Sequence, residues 1–452
     1  MLARDNGSEP NDVQITQACQ IIRERHFAPH ATYRGMKDPN SDRAKRLEYL
    51  LLAALAVAAL AIRVLLYPIP GYKADMDIFV VWLAQAADGI PGFYARGFCD
   101  YPPLNVYLFW LFGSVAERLS LFGTDVVTYA VKIIPTIFDV ATAVLIFAFV
   151  RARAGFKESL VSVAVYAFNP AVVFNSSVWG QFDSIYTFFL LTSFVLILRG
   201  RPMPACAVFT LAVLTKPQSV ALAPLMAYLV YSRHGLRRTL ESTLVIAATT
   251  LLVVLPINWG DPISFLFNIY FGGYSAYRFT SVNAFNLWGL FGMWKPDTVG
   301  FLFLTPFTAG WIMFAVATFV CIYMLDKHQE KHGDALVLFT AFLLLFSFFM
   351  LPTRIHERYI YPSLAFLTLL VPFWRRLKPI YGVLSVTLFI NLVYALVTLN
   401  ALTPIRDGDP IVLVVSATNT LVFAYSLSLL RKHDEVPEIS SHAPLPLKAS
   451  SP

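Results

Sequence analysis

Long apolar runs follow one another along most of this chain, and they constrain its fold more than any other feature. The first run is LEYLLLAALAVAALAIRVLLYP, residues 47–68, and about 20 apolar residues are enough for a helix to cross a bilayer. The sequence therefore predicts an all-α polytopic membrane protein with about 12 or 13 transmembrane helices. The number is 13 if the run 203–231 is broken at Lys216 into two spans. Further runs lie near 104–122, 127–150, 158–177, 182–198, 203–231, 239–257, 299–325, 335–352, 359–374, 379–400 and 410–430.

Composition supports a membrane protein and argues against several other classes. Of the 452 residues, 57% are hydrophobic and only 14% are charged, whereas soluble domains carry about a quarter charged residues. The net charge of +7 is spread over short basic clusters between the runs, without the aromatic-interleaved basic patch of a nucleic-acid binder. The scattered cysteines give neither a disulfide framework nor a CxxC metal pattern; they are Cys19, Cys99, Cys206 and Cys321.

The basic clusters predict the topology, because cytoplasmic loops carry an excess of Lys and Arg. Residues 1–46 are polar and without apolar periodicity, which predicts a mostly disordered cytoplasmic tail. Residues 47–431 then form the transmembrane domain, and 432–452 a second cytoplasmic tail. Two spans between 104 and 150 would place Arg151 outside, so the topology there stays open. The expected outer connections are a large first loop at 69–103, short ones at 175–183, at the Lys216 break and at 352–358, and a later loop at 258–298.

The first outer loop contains two aspartates, and two readings of them are open. MDIFVVWLAQAAD has apolar residues at helical spacing, which predicts a short amphipathic helix on the outer membrane surface. Asp75 and Asp77 fall at its start, where acidic residues cap a helix and complement its dipole. Asp100 precedes Tyr101-Pro102-Pro103 and could equally cap the next helix. Both a capping and a chemical role therefore fit these residues.

Several short motifs occur in one order along the chain: Asp75-Met76 with Trp82, then DYPPL, SVWGQFD, LTKPQ and HERYIYP, starting at residues 100, 177, 214 and 356. Taken together over 47–375 they resemble the GT-C class of membrane glycosyltransferases, which take sugar from a polyprenyl phosphate. The closest resemblance is to bacterial proteins related to GPI mannosyltransferases. A weaker one is to the dolichyl-phosphate-glucose-dependent glucosyltransferases, which share the DYPPL stretch.

The resemblance implies a reaction and a base. Asp75 matches the aspartate taken to deprotonate the acceptor hydroxyl, which attacks the anomeric carbon in a single displacement with inversion; Asp77 has a supporting part. One base suffices, because a phosphate leaving group, with a second pKa of about 6, needs little protonation. No cofactor is expected beyond the polyprenyl-phosphate sugar as co-substrate. No metal site is visible by spacing, although the Asp75/Asp77 pair leaves a divalent metal open.

Cations should meet the leaving phosphate, and polar groups the sugar or acceptor. Lys216 has long apolar stretches on both sides, and an intramembrane charge of that kind is a functional candidate, the alternative being a snorkelling helix-end lysine. Glu357 is expected to be an internal partner of its charged neighbours. The expected phosphate-binding residues are Lys216, Arg354, His356 and Arg358. The expected sugar- or acceptor-binding residues are Asp100, Tyr101, Trp179, Gln181, Asp183 and Gln218.

These expectations combine into a glycosyltransferase that moves a hexose, mannose in the first instance, to a hydroxyl on the extracytoplasmic side of a bacterial plasma membrane or the endoplasmic reticulum. The acceptor could be a glycan, a glycolipid or a protein, and membrane lipids but no nucleic acid are expected as other partners. The aromatic 258–298 loop could cover the substrates as a lid. A transporter or flippase of lipid-linked sugars is the alternative, although it should show two related halves; an inactive scaffolding relative is a third reading.

Overall fold

The computed structural model describes residues 39–300, 304–431 and 436–437. Most of the two expected cytoplasmic tails therefore lies outside the described residues. The chain divides after Leu51 into two units, Met1–Leu51 and Leu52–Pro452. All the packing and the candidate site reported below belong to the second unit.

The first half of the chain is a series of helices separated by short connections. α1 begins at Pro39 and continues through the first apolar run, so it starts earlier than the run itself. The first outer loop contains two helices, of which α2 contains Asp75 and Asp77. The helices are α1 Pro39–Leu66, α2 Lys73–Ala87, α3 Phe93–Arg96, α4 Leu104–Arg118, α5 Val127–Arg151, α6 Phe156–Ala167, α7 Pro170–Val173, a π-helix Phe174–Trp179, α8 Asp183–Leu198 and α9 Pro202–Val213.

The second half continues in the same way after a 3-10 turn that follows Lys216. Two of its long helices contain a kink at a glycine in the left-handed region, Gly235 in α10 and Gly333 in α12. Within the described residues there is no strand, only isolated bridges such as Val282 with His356. The helices are a 3-10 helix Pro217–Leu222, α10 Ala223–Val254, α11 Pro262–Ala276, a 3-10 helix Leu287–Leu290, α12 Pro306–Met350, α13 Tyr361–Leu370, α14 Leu377–Asn400 and α15 Pro410–Arg431.

The chain is an all-helical, multi-pass membrane protein, as the sequence predicts. Each expected apolar run overlaps at least one helix in the described residues, but several runs are divided among short helices. Six helical segments in the described part of the chain are long and apolar enough to cross a bilayer, the parts of α12 before and after its kink being two of them. The number is seven if the bent pair of α6 and the helix that continues to Trp179 counts as one span. By that measure the expected 12 or 13 spans are not reached, because several runs form helices of only 10 to 16 residues, α13 and α8 being the extremes.

The shorter helices end where the sequence interrupts them. Asn169-Pro170 separates α6 from α7, and that pair is bent by 48°. Lys216-Pro217 likewise ends α9, since proline cannot donate the hydrogen bond that would continue the helix. Between residues 104 and 150 only α5 qualifies as a span, α4 having 15 residues. If α4 does not cross the bilayer, Arg151 lies on the cytoplasmic side, as the positive-inside rule expects.

Two buried basic residues fix the elements that lead to the first outer loop. Arg63 on α1 forms an ion pair with Asp139 on α5, with 3.1 Å between Nε and Oδ2. Lys132, also on α5, donates from Nζ to the carbonyls of Tyr67 and Ile69 at 2.9 and 2.6 Å. Because these carbonyls lie in the turn between α1 and α2, Lys132 holds the chain just before Asp75 in place.

Candidate active site

Asp75 is held by two side-chain donors from a distant part of the chain. It lies in the first turn of α2, and its Oδ2 accepts hydrogen bonds from Trp179 Nε1 at 2.9 Å and Gln181 Nε2 at 2.6 Å. Both donors belong to the SVWGQFD motif, about a hundred residues away. The structure therefore brings the predicted base and two of the predicted sugar-binding residues into direct contact.

The local backbone explains why Trp179 and Gln181 face Asp75. The Asn169 side chain accepts from Ala171 N and starts α7, and the wider π-helix follows, a form often found at functional sites. Gly180 then has φ +82°, a conformation that residues with a Cβ adopt rarely. It reverses the chain so that Gln181 N donates to Asn175 O at 2.9 Å, and the two side chains on either side of Gly180 reach the same carboxylate.

The approach of the first loop to this turn is equally close. A Cβ built on Gly71 would lie 2.7 Å from the carbonyl oxygen of Trp179, which is closer than real Cβ contacts allow. Glycine is therefore the residue that fits where the chain enters α2. Gly71 and Gly180 thus set the spacing between Asp75 and its two donors.

Next to this contact lies a buried charged cluster centred on Asp183. Asp183 Oδ1 accepts from Lys216 Nζ at 2.9 Å, and Oδ2 accepts from Asn175 Nδ2 at 3.2 Å and lies 3.7 Å from Arg358 Nε. Asp183 itself is fully buried. Its carboxylate is thus the counter-ion of two predicted phosphate-binding residues.

Tyr101 connects the two groups. Its hydroxyl donates to Gln181 Oε1 at 3.3 Å, and its ring lies 5.5 Å from Lys216 Nζ, within cation–π range. Since Gln181 uses its oxygen for Tyr101 and its nitrogen for Asp75, the amide is fixed at both ends. Asp75 and Lys216 therefore belong to one continuous polar site.

The loop between α12 and α13 supplies Arg358 and two neighbours with altered acidity. Arg358 donates to the buried carboxylate of Glu357, and burial raises the pKa of Glu357 although the guanidinium opposes the shift. The His356 ring packs against those of Tyr277 and Tyr359 at 5.1 and 5.2 Å. Burial, and then the charges of Arg358 and Lys216, lower the pKa of His356 well below its usual value. His356 is therefore neutral at pH 7 and can offer a hydrogen bond but no charge.

Arg354 has a different set of partners. Its Nε and Nη2 donate to the two oxygens of Asp297 at 2.7 and 3.2 Å, and Nη1 donates to Tyr274 O at 3.3 Å. Thr353 donates to the same Asp297 at 2.8 Å. The guanidinium is committed to joining the later outer loop to the α12–α13 loop, and Arg354 does not share the Asp183 cluster in the described contacts.

The remaining predicted residues lie at the edge of the site or outside it. Asp77 is 63% exposed and forms an ion pair with Lys73 at 2.6 Å, because two positions along a helix turn it away from Asp75. Asp100 is exposed but lies within electrostatic range of Asp75, Lys216 and Arg358. The protein packed around this carboxyl reduces its hydration despite the exposed surface and raises the pKa of Asp100, although the charge of Arg358 opposes the shift. Gln218 contacts the hydroxyl of Tyr359.

Sequence reasoning missed two residues that the structure places here. Asn175 and Lys132 are polar side chains within apolar runs, and that interruption is the signal that could have identified them. No group of three or more His, Cys, Asp or Glu side chains suitable for a metal ion occurs in the described ranges. Asp75 and Asp77 in particular point apart, so they do not form a ligand pair as they stand.

Comparison with known proteins identifies the family. Residues 98–352 match the profile of glycosyltransferase family 87, which is more than half of the chain. The chain belongs to glycosyltransferase family 87. This membership confirms the expected recognition as a glycosyltransferase of the GT-C type. Within the matched range of this family 87 protein lie Asp100, Tyr101, the SVWGQFD motif and Lys216, whereas Asp75 precedes it and His356 and Arg358 follow it.

Among solved structures, the chain is similar to the archaeal oligosaccharyltransferase AglB from Archaeoglobus fulgidus, in a complex with an inhibitory peptide and a dolichol-phosphate. The TM-score is 0.40 at 12% identity, and the match covers 88% of this family 87 chain but 57% of AglB. The chain thus spans little more than half of the length of that neighbour. A search of curated proteins gave no match.

Proposed function

We propose that this protein transfers a sugar from a polyprenyl monophosphate to an acceptor hydroxyl in a single displacement with inversion, with Asp75 as the general base. The observation that carries the proposal is the double hydrogen bond to Asp75 Oδ2 from Trp179 Nε1 and Gln181 Nε2. Two fixed donors on Oδ2 also fix the position of the other oxygen, Oδ1. Proton abstraction requires a fixed position, because the base and the hydroxyl must lie within hydrogen-bond distance of each other.

The leaving phosphate belongs on the cationic side of the same site. Lys216 and Arg358 lie at the two oxygens of the Asp183 carboxylate, and Arg358 also pairs with the carboxylate of Glu357. A phosphomonoester bearing about −1.5 to −2 charges would share these two cations with the carboxylates of Asp183 and Glu357, and neutral His356 could add a hydrogen bond. Charge-assisted bonds of this kind stabilise the anion as it departs. In this proposal Asp183 and Arg354 position other groups, Arg354 through Asp297, and Asp77 has no chemical role.

The choice of substrate rests on the motifs. HERYIYP and WGQFD resemble the mannosyltransferase branch most, so we take mannose as the sugar, with glucose, galactose or an arabinose-type pentose as the alternatives. The acceptor is a glycan, a glycolipid or a protein hydroxyl on the extracytoplasmic side. In this proposal the buried side chains of Trp179 and Gln181 act on the sugar through Asp75, whose carboxylate they hold.

The test compares two aspartates on the same helix, of which Asp75 faces the candidate site and Asp77 faces away from it. Purified protein would be reconstituted in lipid with radiolabelled polyprenyl-phosphate mannose or glucose, a crude glycolipid extract and EDTA. We expect Asp75→Asn to reduce transfer at least about 100-fold, because it removes the base, while Asp77→Asn, whose carboxylate is exposed and points away, transfers like the wild type.

Three outcomes would contradict the proposal. Equal transfer by Asp75→Asn and wild type would leave Asp75 as a helix cap. Loss of transfer in EDTA that Mg²⁺ or Mn²⁺ restores would demand a metal. Absence of turnover together with movement of the labelled lipid between leaflets would favour the transporter reading.

A further inference from the structure

A groove of about 400 Å³ lies beside the site, outside the contacts described so far. One wall is formed by the end of the first outer loop, including Tyr94 and Phe98, and the other by the first half of α11, including Ser264 and Asn268. Cys99 lines the groove, and the next residue in the chain is Asp100. The groove is therefore lined by a residue that is one step along the chain from the edge of the candidate active site.

The groove combines aromatic and polar surfaces. Phe98 is 70% exposed, and Tyr94 and Phe265 stack edge to face at 4.8 Å between ring centres. Ser264 and Asn268 are one helical turn apart on α11 and exposed, and exposed Asp261 precedes them. Aromatic rings beside carboxylate and amide groups suit the apolar faces and hydroxyl edges of a sugar. An isoprenoid chain in the same place would remove Asp261 and Asn268 from water without replacing their hydrogen bonds.

The wall nearest the active site is held rigidly. Trp82 Nε1 donates to Phe98 O at 2.7 Å, which fixes the backbone under the exposed ring. The Tyr94 hydroxyl donates to Tyr101 O at 2.5 Å, and Tyr101 is the residue that holds Gln181 against Asp75. A ligand in the groove thus lies against the same short chain of hydrogen bonds that aims the proposed base.

From this geometry we infer that the groove binds the glycan part of the acceptor, namely the sugar residues next to the hydroxyl that is attacked. This inference rests on the proposed function and adds that the acceptor is a carbohydrate chain rather than a bare lipid or a peptide. The volume lies within the range of about 300–1,000 Å³ typical of small-ligand sites, which suits a short glycan. The sugar donor would then bind on the other side of the site, next to Lys216 and Arg358.

The kinetic test uses two groove variants and one control on the same helix. Phe98→Ala removes the exposed ring and Asn268→Ala the amide, while Phe271→Ala removes a 57% exposed ring of α11 that does not line the groove. Initial rates would be measured while the donor and the glycolipid acceptor are varied separately. We expect each groove variant to raise the KM for the acceptor about tenfold, as loss of one stacking or hydrogen-bonding contact would, with kcat and the donor KM within twofold of wild type. The control should change none of the three.

A binding measurement separates this inference from the proposed function. Saturation-transfer NMR on the purified protein would use soluble di- to tetrasaccharides of mannose, glucose, galactose and arabinose. We expect at least one to receive magnetisation from the wild type and from Phe271→Ala but not from Phe98→Ala. Binding of that kind in a protein that transfers no sugar would contradict the proposed function and leave the groove a glycan site. Normal transfer with an unchanged acceptor KM in both groove variants, or an increase in the donor KM alone, would overturn the inference.

Discussion

At the scale of single residues, the site consists of charges that balance each other within the protein. The buried carboxylate of Asp183 lies between Lys216 and Arg358, and buried Glu357 accepts from Arg358. Lys216 could be predicted, because charges within apolar runs are unusual, and Arg358 could be predicted from the HERYIYP motif. Their pairing could not, since the partners are 33 and 175 residues apart and nothing in a single sequence joins them.

In the Asp183 cluster, loss of the carboxylate should destabilise the protein more than loss of the Lys216 ammonium group. Asp183→Leu leaves Lys216 as a buried cation without its counter-ion and leaves Arg358 with Glu357 alone, and breaking a buried pair costs about 3–5 kcal/mol. Lys216→Met should cost less, because Asp183 keeps Asn175 and Arg358, yet it should abolish sugar transfer. Thermal unfolding in detergent followed by tryptophan fluorescence measures the first effect, and the transfer assay the second.

The double variant Asp183→Leu/Lys216→Met provides the control. It removes both charges of the closest pair, so it should regain part of the stability that Asp183→Leu loses while remaining inactive. A double variant as unstable as Asp183→Leu alone would show that the pair is not the source of the loss.

His356 predicts a dependence of stability on pH. Its pKa in the folded protein lies well below the usual value, so below about pH 6.5 the unfolded chain binds a proton that the folded protein does not. Stability contributed by the neutral ring is therefore present above that pH and decreases as pH falls below it. We expect His356→Gln to lose less stability than the wild type between pH 7 and pH 5.5. Equal losses in melting curves at the two pH values would contradict the assignment of a neutral histidine.

At the scale of elements, the helices follow the apolar runs, and their breaks follow the polar and proline residues. The sequence predicts the break at Lys216-Pro217 and the helix around Asp75, and both are present. It does not predict that the helix after Asn169-Pro170 widens into a π-helix, because that form depends on packing against α5 and α14 rather than on local preference. The direct contact between α2 and the SVWGQFD turn is likewise a result of tertiary packing.

The close approach of the loop to that turn gives a prediction at this scale. Gly71→Ala would place a methyl group 2.7 Å from Trp179 O, so the start of α2 must move away from the turn. We expect kcat to fall about tenfold or more, since small displacements of a base carry large penalties, with little change in melting temperature. Gly382→Ala is the matched control, because a Cβ there has nothing within 4 Å. Similar kcat values for the two variants would mean that the spacing at Asp75 is not critical.

At the scale of the whole molecule, polar contacts inside the membrane domain tie distant helices to the site. Arg63 on α1 pairs with Asp139 on α5, and Asp139 also accepts from Tyr361 at the start of α13. Tyr361 follows the loop that contains His356 and Arg358, so this network anchors the loop to the opposite end of the sequence. The number of crossing helices, in contrast, is poorly determined by sequence, since apolar runs of equal appearance form both long spans and short buried helices.

The orientation of the whole protein can be tested by cysteine labelling. Trp259 is 78% exposed in the loop before α11, and Arg238 lies in the basic segment of α10 that the positive-inside rule places in the cytoplasm. In a Cys19→Ser/Cys99→Ser background, whose other two cysteines are buried, we expect Trp259→Cys to react with a membrane-impermeant maleimide on intact cells. Arg238→Cys should react only after permeabilisation. The reverse pattern would place the proposed active site on the cytoplasmic side.

The π-helix between Phe174 and Trp179 has a further consequence for insertions and deletions. A π-turn holds one residue more than an α-turn, so it acts as a single-residue insertion, and each residue in a regular helix turns the chain by about 100°. Removing one residue from 174–179 would let the π-helix become a regular α-helix, while the apolar residues on either side would stay unchanged. The membrane domain could then still assemble, but the indole would leave Asp75, so this segment should tolerate substitutions far better than any change in its length.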